Sequence, residues 1–388
     1  MNTEFAIANP AAYRVEGLEQ IETPRLLVFE KPLLANRERL RRMSDGFAGL
    51  RLMVKTFKSS AILKYYVDAG LRAIKASGIA EARCMAANTA IEDILVSFPC
   101  FGPSIDGFLR LRQDLPGKRF SLIVNNLQAA RELSGKADTR VDVYLDVDPG
   151  MRRTGVAFGA PLRELACQVA ALPRLEIVGL HVYDGHIHHP NAQAVADYST
   201  ALMRTIDASL RDLPSACQIR EVVTSSSLSA ESNLAAYRKG GYTWRHTVSP
   251  GTSVLWDSNY NDLMPGRYEY AAAVATRIID VIPNGGRHIL TTDCGVKFGA
   301  STDCGPVHVL PLAGYRFSAG YERHGSFAWL GMDRKTGEPL TQDMRAALGQ
   351  PVLLVPQHVC PTVNHYSFAY LIRDGKIHGK LPIDARDG

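Results

Sequence analysis

Val141-Asp-Val-Tyr-Leu-Asp-Val147, Pro161-Leu-Arg-Glu-Leu-Ala-Cys-Gln-Val-Ala-Ala171 and Ile177-Val-Gly-Leu-His-Val-Tyr183 follow one another in the middle of the chain. The outer two are short runs rich in β-branched residues, and the middle one repeats its apolar residues at helical spacing. Strand, helix and strand joined this closely need a crossover, and therefore two parallel strands of one sheet. The alternation extends from about residue 50 to residue 260. Leu52–Lys55, Arg83–Ala86, Ile94–Ser97, Ser121–Val124, Glu221–Thr224 and Thr247–Val254 read as further strands, and Ala192–Leu210 as a further helix. Eight strands of this kind predict an α/β fold closed into a (β/α)8 barrel. Past Pro265 the texture changes. Tyr268–Asp280, His288–Thr292, Val307–Leu310 and Val352–Pro356 read as strands punctuated by Gly and Pro, without long helices. The expected division is an α/β barrel over residues 22–265 and a mainly-β C-terminal domain over 266–388, with residues 1–21 free to join the latter.

Bulk properties narrow the class. At 388 residues, 46% hydrophobic and 21% charged, the chain suits one large barrel plus a smaller domain. The net charge of +5 is spread along it, and the densest basic run, Arg37-Glu-Arg-Leu-Arg-Arg42, has the spacing of a solvated helix face. No nucleic-acid partner is expected from that. Met1–Pro10 has no basic stretch followed by a long apolar one, and no apolar run approaches the roughly 20 residues that cross a bilayer. Seven scattered cysteines suit a reducing compartment, so a cytoplasmic protein working on metabolites is expected.

Active sites of such barrels lie at the C-terminal ends of the strands. The first strand runs out in Arg51-Leu-Met-Val-Lys55-Thr-Phe-Lys58. Lys55 there either marks the exit into solvent or, where burial lowers its pKa, is an amine able to form an imine. Asp148-Pro-Gly150-Met-Arg-Arg153-Thr-Gly155 is a Gly-rich turn carrying Arg153, and Val178–His189 brings Tyr183, His186 and His189 past a strand end. Thr224-Ser225-Ser226-Ser227 and Pro250-Gly251-Thr252 supply hydroxyl and N–H groups suited to a loop, a helix cap or a phosphate. In Pro356-Gln-His358-Val-Cys360-Pro-Thr-Val-Asn364, two residues of extended chain would put His358 and Cys360 on one face. Both suit zinc, or read as a polar histidine beside a core cysteine.

Taken in order, these segments resemble the D-threonine aldolase and D-serine dehydratase group within the alanine racemase fold. That group shows Arg-Pro-His-x-Lys-Thr-His-Lys where Arg51, Lys55, Thr56 and Lys58 stand; Leu52, Met53 and Phe57 depart from it. The resemblance implies a fold type III enzyme holding pyridoxal 5′-phosphate (PLP) as a Schiff base on Lys55. It places Arg153 beside the PLP ring and brings Tyr183 and His186 toward the cofactor, with His189 as a further catalytic candidate. Thr224, Ser225, Ser226, Ser227, Gly251 and Thr252 would hold the phosphate, although serines replace the usual Gly-rich loop and Ser253 the usual aromatic residue. His358 and Cys360 would be metal ligands, the thiolate favouring zinc over manganese or magnesium. Asp293-Cys-Gly295-Val-Lys297, Ser301-Thr-Asp303-Cys-Gly305-Pro306 and Glu322-Arg-His324-Gly325 resemble motifs preceding that metal site. The implied reaction is β-elimination on a D-configured β-hydroxy amino acid such as D-serine, D-threonine or 3-hydroxy-D-aspartate, giving a 2-oxo acid and ammonia. The alternatives are a metal-dependent aldolase, an amino-acid racemase or a non-catalytic PLP-binding protein. A head-to-tail homodimer is implied as well.

Overall fold

The computed structural model describes residues 13–224, 226–284, 287–299, 308–310, 315–329 and 347–386. The chain divides into two compact units. One comprises Leu40–Lys55 and Ile62–Gly251; the other takes the segment up to Arg39, Thr56–Ala61 and Thr252–Arg386. The chain enters on β1 (Arg25–Phe29) and α1 (Glu30–Met43), then alternates through β2 (Leu52–Met53), α2 (Ser60–Val67), β3 (Ala73–Ala76), α3 (Ile79–Asn88), β4 (Asp93–Val96), α4 (Pro103–Asp114), β5 (Arg119–Val124) and α5 (Leu127–Lys136). It continues with β6 (Val141–Val147), α6 (Ala160–Ala170), β7 (Leu175–Val182), α7 (Ala192–Asp212), β8 (Glu221–Thr224), α8 (Ala230–Gly240) and β9 (His246–Val248).

Strands β2 to β9 pair in sequence order, all parallel. The sheet closes on itself where Leu50 bridges Val248 and the amides of Arg51 and Met53 donate to Val248 O (3.0 Å) and Pro250 O (3.1 Å). The helices start where the sequence supplies caps: Asn126 accepts from the Ala129 amide at α5, and Asn191 from those of Gln193 and Ala194 at α7. Leu95, Ile123, Tyr144, Val178 and Val223 form a buried cluster. Near the strand starts an ion network is buried as well. Arg51, 1% exposed, forks onto Asp93 (2.8 and 3.1 Å) and Glu221 (2.7 and 3.2 Å). Glu221 also accepts from Tyr144 Oη (2.7 Å) and Thr247 Oγ1 (2.8 Å). Gly179 makes room for this: a Cβ there would lie 2.3 Å from Tyr144 Cε1 and 2.5 Å from Glu221 O. The register of β6 against β7 shifts at the same place, between Val143 and Tyr144.

Two expected strands need correction. Arg83–Ala86 lies inside α3, where Ala82, Met85 and Ala86 form its buried face. The strand of that repeat is Ala73–Ala76, whose apolar run is interrupted by Lys75. Thr247–Val254 is strand only as far as Val248, because Pro250 and Gly251 break it and a 3-10 turn (Thr252–Val254) follows.

The second unit is built on α9 (Ser258–Leu263), β10 (Ala272–Asn284), β11 (Arg287–Thr292), β12 (His308–Leu310), β13 (Tyr315–Gly320), β14 (Gly325–Trp329), β15 (Pro351–Val355), α10 (Val359–Asn364), β16 (Phe368–Arg373) and β17 (Lys376–Pro382). Its sheet runs β13-β14-β11-β10-β1-β16-β17, with β15 on β10 and β12 on β15. The span 22–265 expected for the barrel takes in β1, whose hydrogen bonds go instead to β10, antiparallel, and β16, parallel. Leu26 to Phe29 face Val274 to Ala271 in a buried antiparallel seam. Among the described residues no helix is long and apolar enough to cross a membrane.

Candidate active site

Lys55 sits in the 3-10 turn Val54–Thr56 directly after β2, half-buried. The loop after β6 is folded around the Asp148 carboxylate, which accepts from the amides of Gly150 (2.9 Å) and Arg152 (3.0 Å). Gly155 closes that loop in a left-handed conformation (φ 101°), and a Cβ on it would stand 2.7 Å from the Asp148 amide. So held, Arg153 lays its guanidinium over the Tyr183 ring, 4.7 Å from the centroid. The sequence-predicted pair Arg153 and Tyr183 is therefore brought together.

Behind them lies a group that the sequence reading passed over. Lys75, 3% exposed on β3, places Nζ 3.3 Å from His181 Nε2 and 5.4 Å from the Tyr183 centroid. His181 Nδ1 is 2.7 Å from Asp146 Oδ1, and both residues are buried. Burial, then the charge of Lys55, depresses the Lys75 ammonium to about 7, with Asp146 and Asp184 pulling the other way. Burial, then the charge of Lys75, likewise lowers His181, which favours its neutral form. With Asp146 as acceptor, His181 carries its proton on Nδ1 and offers Nε2 to Lys75.

The serine loop has internal work. The fully buried Asp184 accepts from the Ser226 amide (2.7 Å), Ser229 Oγ (2.8 Å) and Asn233 Nδ2 (2.9 Å), while burial pushes its carboxyl up. Thr224 Oγ1 is 2.8 Å from His246 Nε2, and Ser227 Oγ accepts from the Gly251 amide (3.1 Å). The Ser226 and Gly251 amides are thus already engaged. Ser225 lies outside the described residues. His186 packs edge-on against Tyr198 (5.8 Å between ring centroids) beside Gly150, with its buried Nδ1 unpartnered among the described residues. His189 is exposed, and its Nδ1 accepts from the Asn191 amide at the start of α7. Lys55, Lys75 and Arg153 gather three cations at these strand ends, and the buried Asp146 Oδ2 has no partner among the described residues. An anionic carbonyl compound, PLP included, fits that donor set.

In the other unit, His358 and Cys360 do not lie on extended chain. His358 is the exposed N-cap of α10 and Cys360 lies in its first turn, because β15 has ended at Val355. Cys360 Sγ is 3.3 Å from Thr56 Oγ1, and Lys58 Nζ donates to Cys360 O (3.3 Å). Between the two candidate ligands, the Val359 amide donates to the buried Asp257 carboxylate (3.1 Å), which burial raises to about 7. Among the described residues no three His, Cys, Asp or Glu side chains are grouped to hold a metal. One imidazole and one thiolate fit a zinc that takes its remaining ligands from substrate and water. Thr252 is buried in the same unit. Asp293 accepts from Thr276 Oγ1 (2.5 Å) and the Arg277 amide (2.9 Å), a structural role within the sheet. The Asp303 motif lies outside the described residues.

Comparison with known proteins adds a lineage to this geometry. The family described as the N-terminal domain of alanine racemase matches residues 31–258, and a serine dehydratase domain matches residues 271–372. D-threonine aldolase of an Arthrobacter species is 27% identical over 97% of this chain and 96% of its own. 3-hydroxy-D-aspartate aldolase of Paracoccus denitrificans is 25% identical over 77% of this chain and 75% of its own. Among solved structures, D-threonine aldolase from Filomicrobium marinum superposes with a TM-score of 0.79 at 23% identity, over 95% of this chain and 96% of that one. D-threo-3-hydroxyaspartate dehydratase from Delftia sp. HT23 gives 0.75 at 21%, over 94% and 98%. At those identities the structures speak for the fold.

Proposed function

The chain belongs to the alanine racemase N-terminal domain family, joined to a D-serine dehydratase-type domain, and on that premise we propose a PLP- and zinc-dependent lyase acting on a D-configured β-hydroxy amino acid. The observation that carries this reading is the placement of Lys75 and Arg153 on the Tyr183 ring, with Lys55 close enough to act on the Lys75 charge, at the strand ends of the barrel. Lys55 would hold the cofactor and, once released by substrate, take the Cα proton on Nζ. Arg153, braced on the Tyr183 ring, would stand beside the cofactor ring as a fixed positive charge. The Ser226–Ser229 turn, pinned by Asp184, and Ser227 would face the phosphate. Bound PLP supplies an electron sink for negative charge at the substrate Cα. A zinc held by His358 and Cys360 supplies a Lewis acid for the β-hydroxyl. Cys360 favours β-elimination to a 2-oxo acid and ammonia. The names of the relatives at 27% and 25% identity favour the second reading, cleavage of Cα–Cβ to glycine and an aldehyde, with the half-buried His186 as the candidate base.

The test is to load the protein with PLP and zinc, supply D-serine, D-threonine and 3-hydroxy-D-aspartate, and identify products by mass spectrometry. A 2-oxo acid with ammonia, abolished by Lys55→Ala and by chelation, supports the dehydratase. Glycine with an aldehyde selects the aldolase, and no turnover of any D-substrate refutes both.

A further inference from the structure

The sequence points to one lysine in the barrel; the fold contains a second, buried on β3. Its hydrogen-bonding neighbour, His181 on β7, is itself tied to Asp146 on β6; the lysine is Lys75. The charged and titratable groups around Lys75 are Lys55 from the end of β2, Asp146 from β6, Arg153 from the following loop, and His181, Tyr183 and Asp184 from β7 and its loop. A lysine side chain is rarely buried without a purpose. Here the carboxylate does not meet the ammonium directly, since an imidazole is interposed and passes its influence on.

We propose that Lys75 is a positioning residue of the cofactor pocket, whose amine, backed by the His181–Asp146 pair, sets the electrostatic environment in which the Lys55–PLP link holds or loses its proton. The inference rests on the PLP reading given above. Its logic is one of sign. The proton on a lysine–PLP link adds a positive charge, so a neighbouring ammonium opposes it and a neighbouring carboxylate favours it. Lys75 and Asp146, joined through His181, therefore act in opposite directions on the same proton. They are balanced while Lys75 is charged, and that balance changes as Lys75 titrates near neutral pH. His181, locked with its proton on Nδ1, keeps the amine and carboxylate from collapsing into a direct pair.

The test reads the cofactor's visible spectrum and needs no turnover. Wild-type protein loaded with PLP is first reduced with borohydride and mapped by peptide mass spectrometry, which is expected to place the adduct on Lys55. The pH midpoint of the visible transition is then compared in Lys75→Gln and Asp146→Asn. Lys75→Gln removes the opposing charge and is expected to raise the midpoint by about one pH unit, a tenfold gain in proton affinity. Asp146→Asn removes the favouring charge and is expected to lower it. Opposite shifts support the proposal; a merely structural role would weaken PLP binding in both without moving the midpoints in opposite directions. If the adduct is on Lys55 but both midpoints stay within a few tenths of wild type, or move together, this inference fails and the PLP reading stands. If wild-type protein forms no adduct, both fail. Should Lys75→Gln not fold, Lys75→Arg, which keeps the charge at all pH values, takes its place. It is expected to leave the midpoint at or below that of wild type, and a rise overturns the proposal.

Discussion

Replacing Arg51 with Met leaves a barrel of nearly unchanged volume with an uncompensated carboxylate inside it. Glu221 is 2% exposed, and burial alone would raise its carboxyl. Arg51, with hydrogen bonds from Tyr144 and Thr247, reverses this and holds it at about 2, against 4.5 for the free group. At about 1.4 kcal/mol per pH unit, that difference contributes about 3 kcal/mol to stability at neutral pH. Breaking a buried pair by removing one partner costs about 3–5 kcal/mol, so two routes agree on the size. Because the folded pKa lies below the free value, the contribution is complete above about pH 4.5 and is lost as the pH falls toward 2. Urea unfolding, with hydrogen exchange read on peptides covering β6 to β8, is expected to show Arg51→Met about 3–5 kcal/mol less stable at pH 7. The gap should narrow as the pH is lowered from 4.5 to 3. Adding Glu221→Gln should recover part of the loss, since it removes the stranded charge. A loss below about 1 kcal/mol at pH 7, or a gap that ignores pH, would refute this account of the network.

Gly179→Ala forces a methyl against Tyr144 and the Glu221 carbonyl, and is expected to cost about 2–3 kcal/mol in chemical denaturation; a neutral result would mean that β7 can move. Burial lowers His246 to about 3, so it is neutral in the fold and takes up a proton on unfolding below about pH 6.5. Wild type should therefore lose up to about 1.4 kcal/mol per pH unit between pH 6.5 and 3 from this residue, and His246→Gln should flatten that slope in acid titrations of the unfolding midpoint. Asp184→Ala strands three buried donors around the serine loop. It should weaken PLP retention at least tenfold by equilibrium dialysis, at a stability cost of about 3 kcal/mol. Cys360→Asp exchanges a thiolate for a carboxylate, and metal titration should show zinc affinity falling relative to manganese; an unchanged preference would argue that Cys360 is not a ligand.

The alternation of strands and helices was legible because most barrel strands carry a core of β-branched and leucine residues between helical spacings, even where polar residues alternate with them as in β6. Ala73–Ala76 is the hardest to read, because Lys75 interrupts its short apolar run, whereas the nearby Arg83-Cys-Met-Ala86, which lies in α3, gives a misleading strand signal. The Lys75–His181–Asp146 set is hard to see in the sequence because each member lies within a strand, whereas a barrel site is expected in the loops beyond the strand ends. A signal was present. In β6 the polar residues Asp142, Tyr144 and Asp146 recur at every second position, as do Gly179 and His181 in β7, which marks an inward polar face. Lys55, Arg153 and Tyr183 were singled out through the family resemblance, and the structure brings Arg153 and Tyr183 into contact. The geometry of His358 and Cys360 was not, because nothing in Gln357-His-Val-Cys360 signals that strand gives way to helix before the first Pro after it.

The space left open by Gly179 also works as an alignment pin. Sliding β6 along β7 by one residue would drive the Tyr144 ring into a strand residue that has a Cβ. The same slip would turn the inward face of β6 outward, Asp146 with it, and part it from His181 on β7. A missing methyl group near the base of the barrel thus keeps the imidazole and carboxylate aligned further up the same two strands. Positions 144 and 179 should therefore be varied together in any library, since a side chain gained at one is tolerated only when bulk is lost at the other.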